Sequence, residues 1–196
     1  MRLATTRRII TKYILTVMSS ILIGCSGCPD DGPENFLLSD FETSIIPFSE
    51  PQNVLFENES AIQTEGHYHM KLTEIIDVEF SDDEDCHPRN IESQSISLSL
   101  SNPNLELEIY LAKQVDDKTI FYINSGPTLF MINSCSQAME NLENVAREIV
   151  SNGFSFPNAF EFDNCSSEGN INKIIYSIDD GIVFIEFENG SYLKLL

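Results

Sequence analysis

The sequence predicts an α+β domain: a mainly antiparallel β-sheet of hairpins and a C-terminal meander with one amphipathic helix near residues 135–151. A β-sandwich with a single helix is the alternative. Three observations lead there. Residues 67–80 and 96–111 alternate apolar and polar side chains with the period of two of a half-buried strand. Asp180-Gly181 and Asn189-Gly190 separate three C-terminal apolar runs, and such dipeptides favour type I′ hairpin turns. Ala138, Met139, Leu142, Val145, Ala146, Ile149 and Val150 fall at helical spacing.

In chain order, residues 36–62 hold short apolar pieces (FLL, SIIPF, NVLF) broken by Pro47 and Pro51, and read as loops with one or two edge strands. From His67 to Phe80, Tyr68, Met70, Leu72, Ile76, Val78 and Phe80 share one face. His67, His69, Lys71, Thr73, Asp77 and Glu79 share the other, in one strand or in two broken near Glu74. SDDEDCHPRN, residues 81–90, is a charged loop. Ile96, Leu98 and Leu100 alternate with serines. After Asn102-Pro103-Asn104, Leu105, Leu107, Ile109 and Leu111 alternate with Glu106, Glu108 and Tyr110, giving a hairpin with one wet face. Asp116-Asp117 and Ser125-Gly126-Pro127 turn the chain into TIFYIN and TLFMIN. Ser134 with Gln137 makes a capping-box pattern at the helix start, and Asn152-Gly153 supplies its stop. Phe154, Phe156, Phe160 and Phe162 then share one parity and read as a core-facing set. INKIIYSI, IVFIEFE and SYLKLL complete the meander.

The N-terminus carries a different signal. Arg2, Arg7, Arg8 and Lys12 precede an apolar run of about eleven residues, too short for the roughly 20 a membrane span needs. Leu22-Ile23-Gly24-Cys25 then resembles the lipobox of bacterial lipoproteins, over residues 1 to about 26 only. The resemblance implies that residues 1–24 are a signal peptide and that the Cys25 thiol carries a diacylglyceryl group. It also implies an amine freed by cleavage and acylated in many bacteria, by chains such as palmitate. Residues 25–35 are then the acylated cysteine and a flexible tether, and residues 36–196 a single globular domain. Two or more chains anchor a protein stably, since each buried methylene adds about 0.8 kcal/mol. The location implied is the cell envelope, with Ser26 favouring the outer membrane over the inner under the sorting rule of enteric bacteria. Thr6-Arg7-Arg8 loosely resembles a twin-arginine signal, but the aromatic-Leu core is missing and general secretion fits better.

Residues 1–24 hold four of the eleven basic residues and none of the 31 acids, so residues 25–196 set seven positive charges against 31 negative, a net −24. Such a field disfavours nucleic acid and phosphate ligands and attracts cations and basic proteins. Solubility in saline surroundings explains the same acidity equally well. With Cys25 assigned to lipid, Cys28, Cys86, Cys135 and Cys165 remain, an even number in an oxidising compartment. Of the three pairings, Cys135–Cys165 with Cys28–Cys86 is the expectation.

His67-x-His69 places two imidazoles on one side of a strand, and His87 follows in the next loop. Together they could supply nitrogen ligands for Zn²⁺ or Cu²⁺. Both strand histidines also lie on the wet face, where a histidine needs no metal to explain it. Asp82-Asp83-Glu84-Asp85 offers oxygens for Ca²⁺ but lacks the spaced acidic pattern that wraps a loop around the ion. Gly-x-Ser-x-Gly, His-Glu-x-x-His and Gly-rich phosphate loops are all absent from the sequence, so neither catalysis nor a cofactor is expected. The functional expectation is a membrane-anchored, exported acidic binding protein, such as an immunity or inhibitor protein facing a basic secreted partner. A metal-binding envelope lipoprotein using His67, His69 and His87 is the alternative, and a purely structural lipoprotein the third.

Overall fold

The structure is a computed structural model that describes residues 32–78, 88–132, 135, 139–166 and 168–196. The expected signal peptide, Cys25, Cys28, the acidic run 82–85, Cys86, His87, Ser134 and Gln137 lie outside the described residues. The chain divides into two compact units, and the one comprising Glu34–Val78 and Arg89–Leu196 holds every element below.

In chain order the strands are β1 (Glu34–Phe36), β2 (Gln52–Asn58), β3 (Gln63–Tyr68), β4 (Leu72–Val78), β5 (Arg89–Ser101), β6 (Asn104–Lys113) and β7 (Thr119–Ser125). They continue as β8 (Thr128–Ile132), β9 (Arg147–Ser151), β10 (Phe154–Asn164), β11 (Ile171–Ser177), β12 (Gly181–Phe187) and β13 (Tyr192–Leu195). Ten of them form a closed antiparallel barrel. β2, β3, β5, β6, β7, β8, β10, β11, β12 and β13 follow one another around the wall, and β13 returns to β2. β1 and β4 flank the first half of β5, and β9 flanks the first half of β10.

The α+β expectation is therefore wrong, and so is the sandwich alternative. The expected helix over 135–151 does not form. Met139 exchanges two backbone hydrogen bonds with Thr119, and the amides of Val145 and Ala146 turn back once onto the Leu142 carbonyl. Beyond them the chain extends as β9, where Ile149 is 6% exposed and Val150 69%. Two physical signals competed here. Adjacent β-branched residues favour a strand, and Asn152-Gly153, with φ of 49° and 82°, is a hairpin turn rather than a helix stop. The only helix among the described residues, α1 (Asp40–Ser44), lies in the segment read as loops, started by a capping box between Ser39 and Glu42. The C-terminal hairpins form as expected, but only Gly181 and Gly190 adopt positive φ, so each turn is a three-residue loop and not type I′.

Strand alternation sorts the side chains. Ile96, Leu98, Leu100, Leu107, Ile109 and Leu111 are buried in the main core, while Ser97, Glu106 and Glu108 on the same strands face outward. An apolar lumen with a polar outer face is the inverse of a transmembrane barrel. A second, smaller cluster joins Ile149, Phe156, Ala159, Ile175, Val183 and Phe184. Ile175 belongs to it while Ile174 and Tyr176 belong to the lumen, so the β9–β10 hairpin covers the outer face of β11 and β12. That double coverage explains why IIYSI and IVFI read as unbroken apolar runs. A bulge between Phe156 and Ala159, with Asn158 at φ 47°, switches parity within β10. Phe160 and Phe162 thus enter the lumen, and Phe156 the outer cluster. The 67–80 segment breaks at residues 69–71 rather than near Glu74, and Leu72, Ile75 and Ile76 on β4 are exposed.

One end of the barrel is stoppered by residues 37–48, with Ile45 and Ile46 fully buried. Tyr176 donates its hydroxyl proton to the Ile45 carbonyl at 2.9 Å, and Lys71 reaches the Ile46 carbonyl at 3.1 Å. Phe48 packs on Tyr68, whose hydroxyl accepts from the Ile182 amide at 2.7 Å. That closeness dictates Gly181, because a Cβ there would sit 2.6 Å from the Tyr68 oxygen. The buried Glu42 carboxylate receives the Ser39 amide, the Thr119 hydroxyl and the Lys113 ammonium, whose Nζ lies 3.2 Å from both of its oxygens. Burial pushes the Glu42 carboxyl up, but these hydrogen bonds outweigh it and hold it below its ordinary value.

Glu42→Gln is expected to cost about 3 kcal/mol in chemical denaturation, because it leaves the buried Lys113 with only the exposed Asp117, 3.3 Å away, as a counter-ion. Since the folded carboxyl is the more acidic, its stabilisation is complete above the unfolded pKa of about 4.5 and is lost as pH falls through the lower folded value. The acid limb of a stability–pH curve should flatten in the Gln variant.

Candidate functional site at the barrel mouth

The opposite end of the barrel is open. Its rim consists of the turns at residues 59–62, 102–103 and 188–191 and the loop at 165–170, around a cavity of about 680 Å³. Each turn has a local cause. Asn58 Oδ1 accepts the amides of Ser60 and Ile62, both at 2.9 Å, which folds the β2–β3 turn and leaves Ile62 exposed at the rim. Asn189 Oδ1 accepts the amide and hydroxyl of Ser191, and Gly190 completes the β12–β13 turn at φ 83°. In the 165–170 loop, Asn164 Nδ2 donates to the carbonyls of Glu168 and Ile171. Gly169, at φ 93°, has room for no Cβ, which would lie 2.6 Å from Thr128 Oγ1.

Three hydrogen bonds stitch these turns together. Thr64 donates its hydroxyl to the Asn102 carbonyl at 2.7 Å, the Glu188 amide reaches the Asn170 carbonyl at 2.9 Å, and the Tyr192 amide reaches Glu59 Oε2 at 3.4 Å. The cavity is built, then, from cross-braced turns on a rigid wall, the arrangement by which barrel mouths take ligands. Leu193 and Phe187 form its apolar part, and Glu59 and Glu188 bring negative charge to it. A smaller hollow of about 250 Å³ adjoins it, sharing Asn170 and carrying Glu168.

No basic residue occurs in any of the rim turns. Lys71, Lys113 and Lys118 belong to the stoppered end. Arg89 opens β5 with Glu34 at 3.7 Å, and Arg147 opens β9. The remaining two are held on the outer wall: Lys173 lies 3.7 Å from both Glu161 and Glu186, and Lys194 lies 4.7 Å over the Phe154 ring.

His67 and His69 do come together, on the exposed outer face at the end of β3, with ring centroids 5.1 Å apart. Each ring is engaged: His67 Nδ1 lies 2.7 Å from Asn53 Oδ1 and His69 Nε2 lies 2.9 Å from Ser99 Oγ. Among the described residues no group of three His, Cys, Asp or Glu is placed to hold a metal ion. Cys135 and Cys165 form a disulfide, with Cα atoms 5.6 Å apart. Cys165 opens the 165–170 rim loop, and its amide donates to Leu129 at 2.8 Å, so the bridge pins that loop to the wall.

No protein-family model, curated protein or solved structure matches the chain. The mouth is not legible in the sequence: Asn102-Pro103 and Asn189-Gly190 read only as turn punctuation, and residues 59–62 and 165–170 carry no pattern that marks them. The signal that could have found it was the even spacing of short strands, which is the pattern of a barrel.

Cys135→Ser with Cys165→Ser should lower unfolding stability by about 3.5 kcal/mol, the entropy of a loop of this length. The β-type circular dichroism spectrum should survive, since the bridge closes no strand pairing of the barrel.

Proposed function

We propose that this chain is an exported, lipid-anchored binding protein of the cell envelope that receives a basic partner protein at the barrel mouth. The observation that carries the reading is the charge distribution: Glu59, Glu168 and Glu188 stand on the rim turns, and all seven basic residues of the chain after Cys25 lie elsewhere. With a net −24 behind it, a rim of that kind steers cations toward the cavity and speeds encounter at low salt. An immunity or inhibitor role fits these features, because occupying a basic partner needs a complementary surface and no catalytic group. The lipobox resemblance supplies the anchor, and the tether of residues 25–35 lets the domain stand clear of the bilayer.

Two measurements bear on this. Cys25→Ser should move the chain from the membrane fraction to the soluble fraction or leave it unprocessed, and unchanged acylation and fractionation would refute the anchor. Membranes bearing the full chain should retain a basic envelope or secreted protein at low salt and release it at high salt. Replacing Glu59, Glu168 and Glu188 together by Gln should weaken that retention about tenfold or more, and equal retention by the triple variant would refute the mouth as its site.

A further inference from the structure

The mouth holds more than a charged rim. Its cavity, at about 680 Å³, falls within the roughly 300–1,000 Å³ of small-molecule sites, larger than one side chain of a docked protein would fill. We infer that it binds a small organic cation: an ammonium group carried on an apolar body. This goes beyond the partner-protein reading and does not depend on it.

The lining selects that class by elimination. Phe187, half-buried, and Ile62, 57% exposed, offer an apolar surface that a hydrocarbon or aromatic body would cover. An anionic amphiphile would meet Glu59 and Glu188 with no cation to offset them, since no Lys or Arg lines the cavity. A wholly apolar ligand would cover Glu59 and Glu188 and leave their charge without a counter-ion. An ammonium group avoids both penalties: it offsets the two carboxylates while its body lies on Ile62 and Phe187. The Phe187 ring adds attraction for a cation near its face. Glu59 keeps this capacity despite the Tyr192 amide, because that contact uses only Oε2, at 3.4 Å.

The test is calorimetric titration of the full chain, in non-ionic detergent, with three probes of equal length: hexyltrimethylammonium, hexanoate and hexanol. Saturable binding of the cation, at least about tenfold tighter than either of the others, is expected. Glu59→Gln with Glu188→Gln should weaken cation binding about tenfold. Asp179→Asn with Asp180→Asn, which removes the same charge from the stoppered end, should leave it within about twofold. Three probes bound alike would show an apolar hollow without charge selection. Equal weakening by both double variants would reduce the effect to net charge, and no binding of the cation would leave no site. Each of these results overturns the inference. A chain that retains a basic protein yet binds no hexyltrimethylammonium would refute this inference alone, leaving the partner-protein reading intact.

Discussion

Everything distinctive about this molecule depends on one seam, the pairing of β13 with β2. It is short: Leu193 faces Asn58, Lys194 faces Glu57 and Leu195 faces Phe56, with the Leu196 amide adding a bond to the Leu55 carbonyl. Without it the ten strands would be an open meander with two exposed edges and a solvated inner face. With it, the first and last strands of the wall meet, the edges vanish, and Phe56 and Leu193 become lumen residues. The same seam sets the turn at residues 59–62 beside the turn at 188–191, so it also creates the cavity. The hydrogen bond between Glu59 and the Tyr192 amide is its outermost stitch.

Closing ten strands encloses more space than the wall's own side chains readily fill, since about eight strands suffice for a side-chain-filled barrel. The chain solves this differently at its two ends. At one, residues 37–48 enter as a stopper whose polar groups meet partners: Glu42 with Lys113 and Thr119, the Ile45 carbonyl with Tyr176, the Ile46 carbonyl with Lys71. At the other the rim is left open, and aromatic rings fill the lumen between the two. Phe121 meets Phe160, Phe162 and Tyr176 edge to face, at 4.9 to 5.4 Å, and this aromatic mass isolates the mouth from the buried ion pair. The two ends are chemically distinct: a basic side chain is spent inside the stopper, and none is placed at the opening.

Much of the wall was legible in the sequence, because a strand with one wet face writes its alternation directly. The hairpin around Asn102-Pro103, the TIFYIN and TLFMIN strands and the C-terminal meander all follow from that pattern, and β5 to β8 and β11 to β13 stand close to where it places them. The failures have a common cause, which is that tertiary cover changes the pattern. Ile149 and Val150 suited a helix as well as a strand, and what decides between them is β10, to which the Asn152-Gly153 turn returns the chain. Phe154 to Phe162 look like one face until the bulge at Asn158 splits them. Closure itself leaves no local trace: the pairing of residues near 57 with residues near 194 depends on the summed twist of the whole sheet. The cavity therefore leaves no trace in the sequence, where only two of its four rim segments, Asn102-Pro103 and Asn189-Gly190, read as turns.

The acidity acquires meaning only in this geometry. The net −24 of residues 25–196, spread evenly over a sphere, would serve solubility and little else. Here the carboxylates of the wall are partly met by Lys173, and those of the stopper by Lys113, so the uncompensated negative charge includes the rim. A concave opening with apolar depth and a one-signed rim concentrates counter-ions more than a convex surface of the same charge, because its walls exclude water and focus the field. High salt would screen the exposed rim within a Debye length of about 10 Å or less. Contacts on Ile62 and Phe187, in the lining of the mouth, would keep their strength. Salt would therefore separate the two parts of the proposed site: the charge that would draw a cation toward the barrel, and the apolar lining that would retain it.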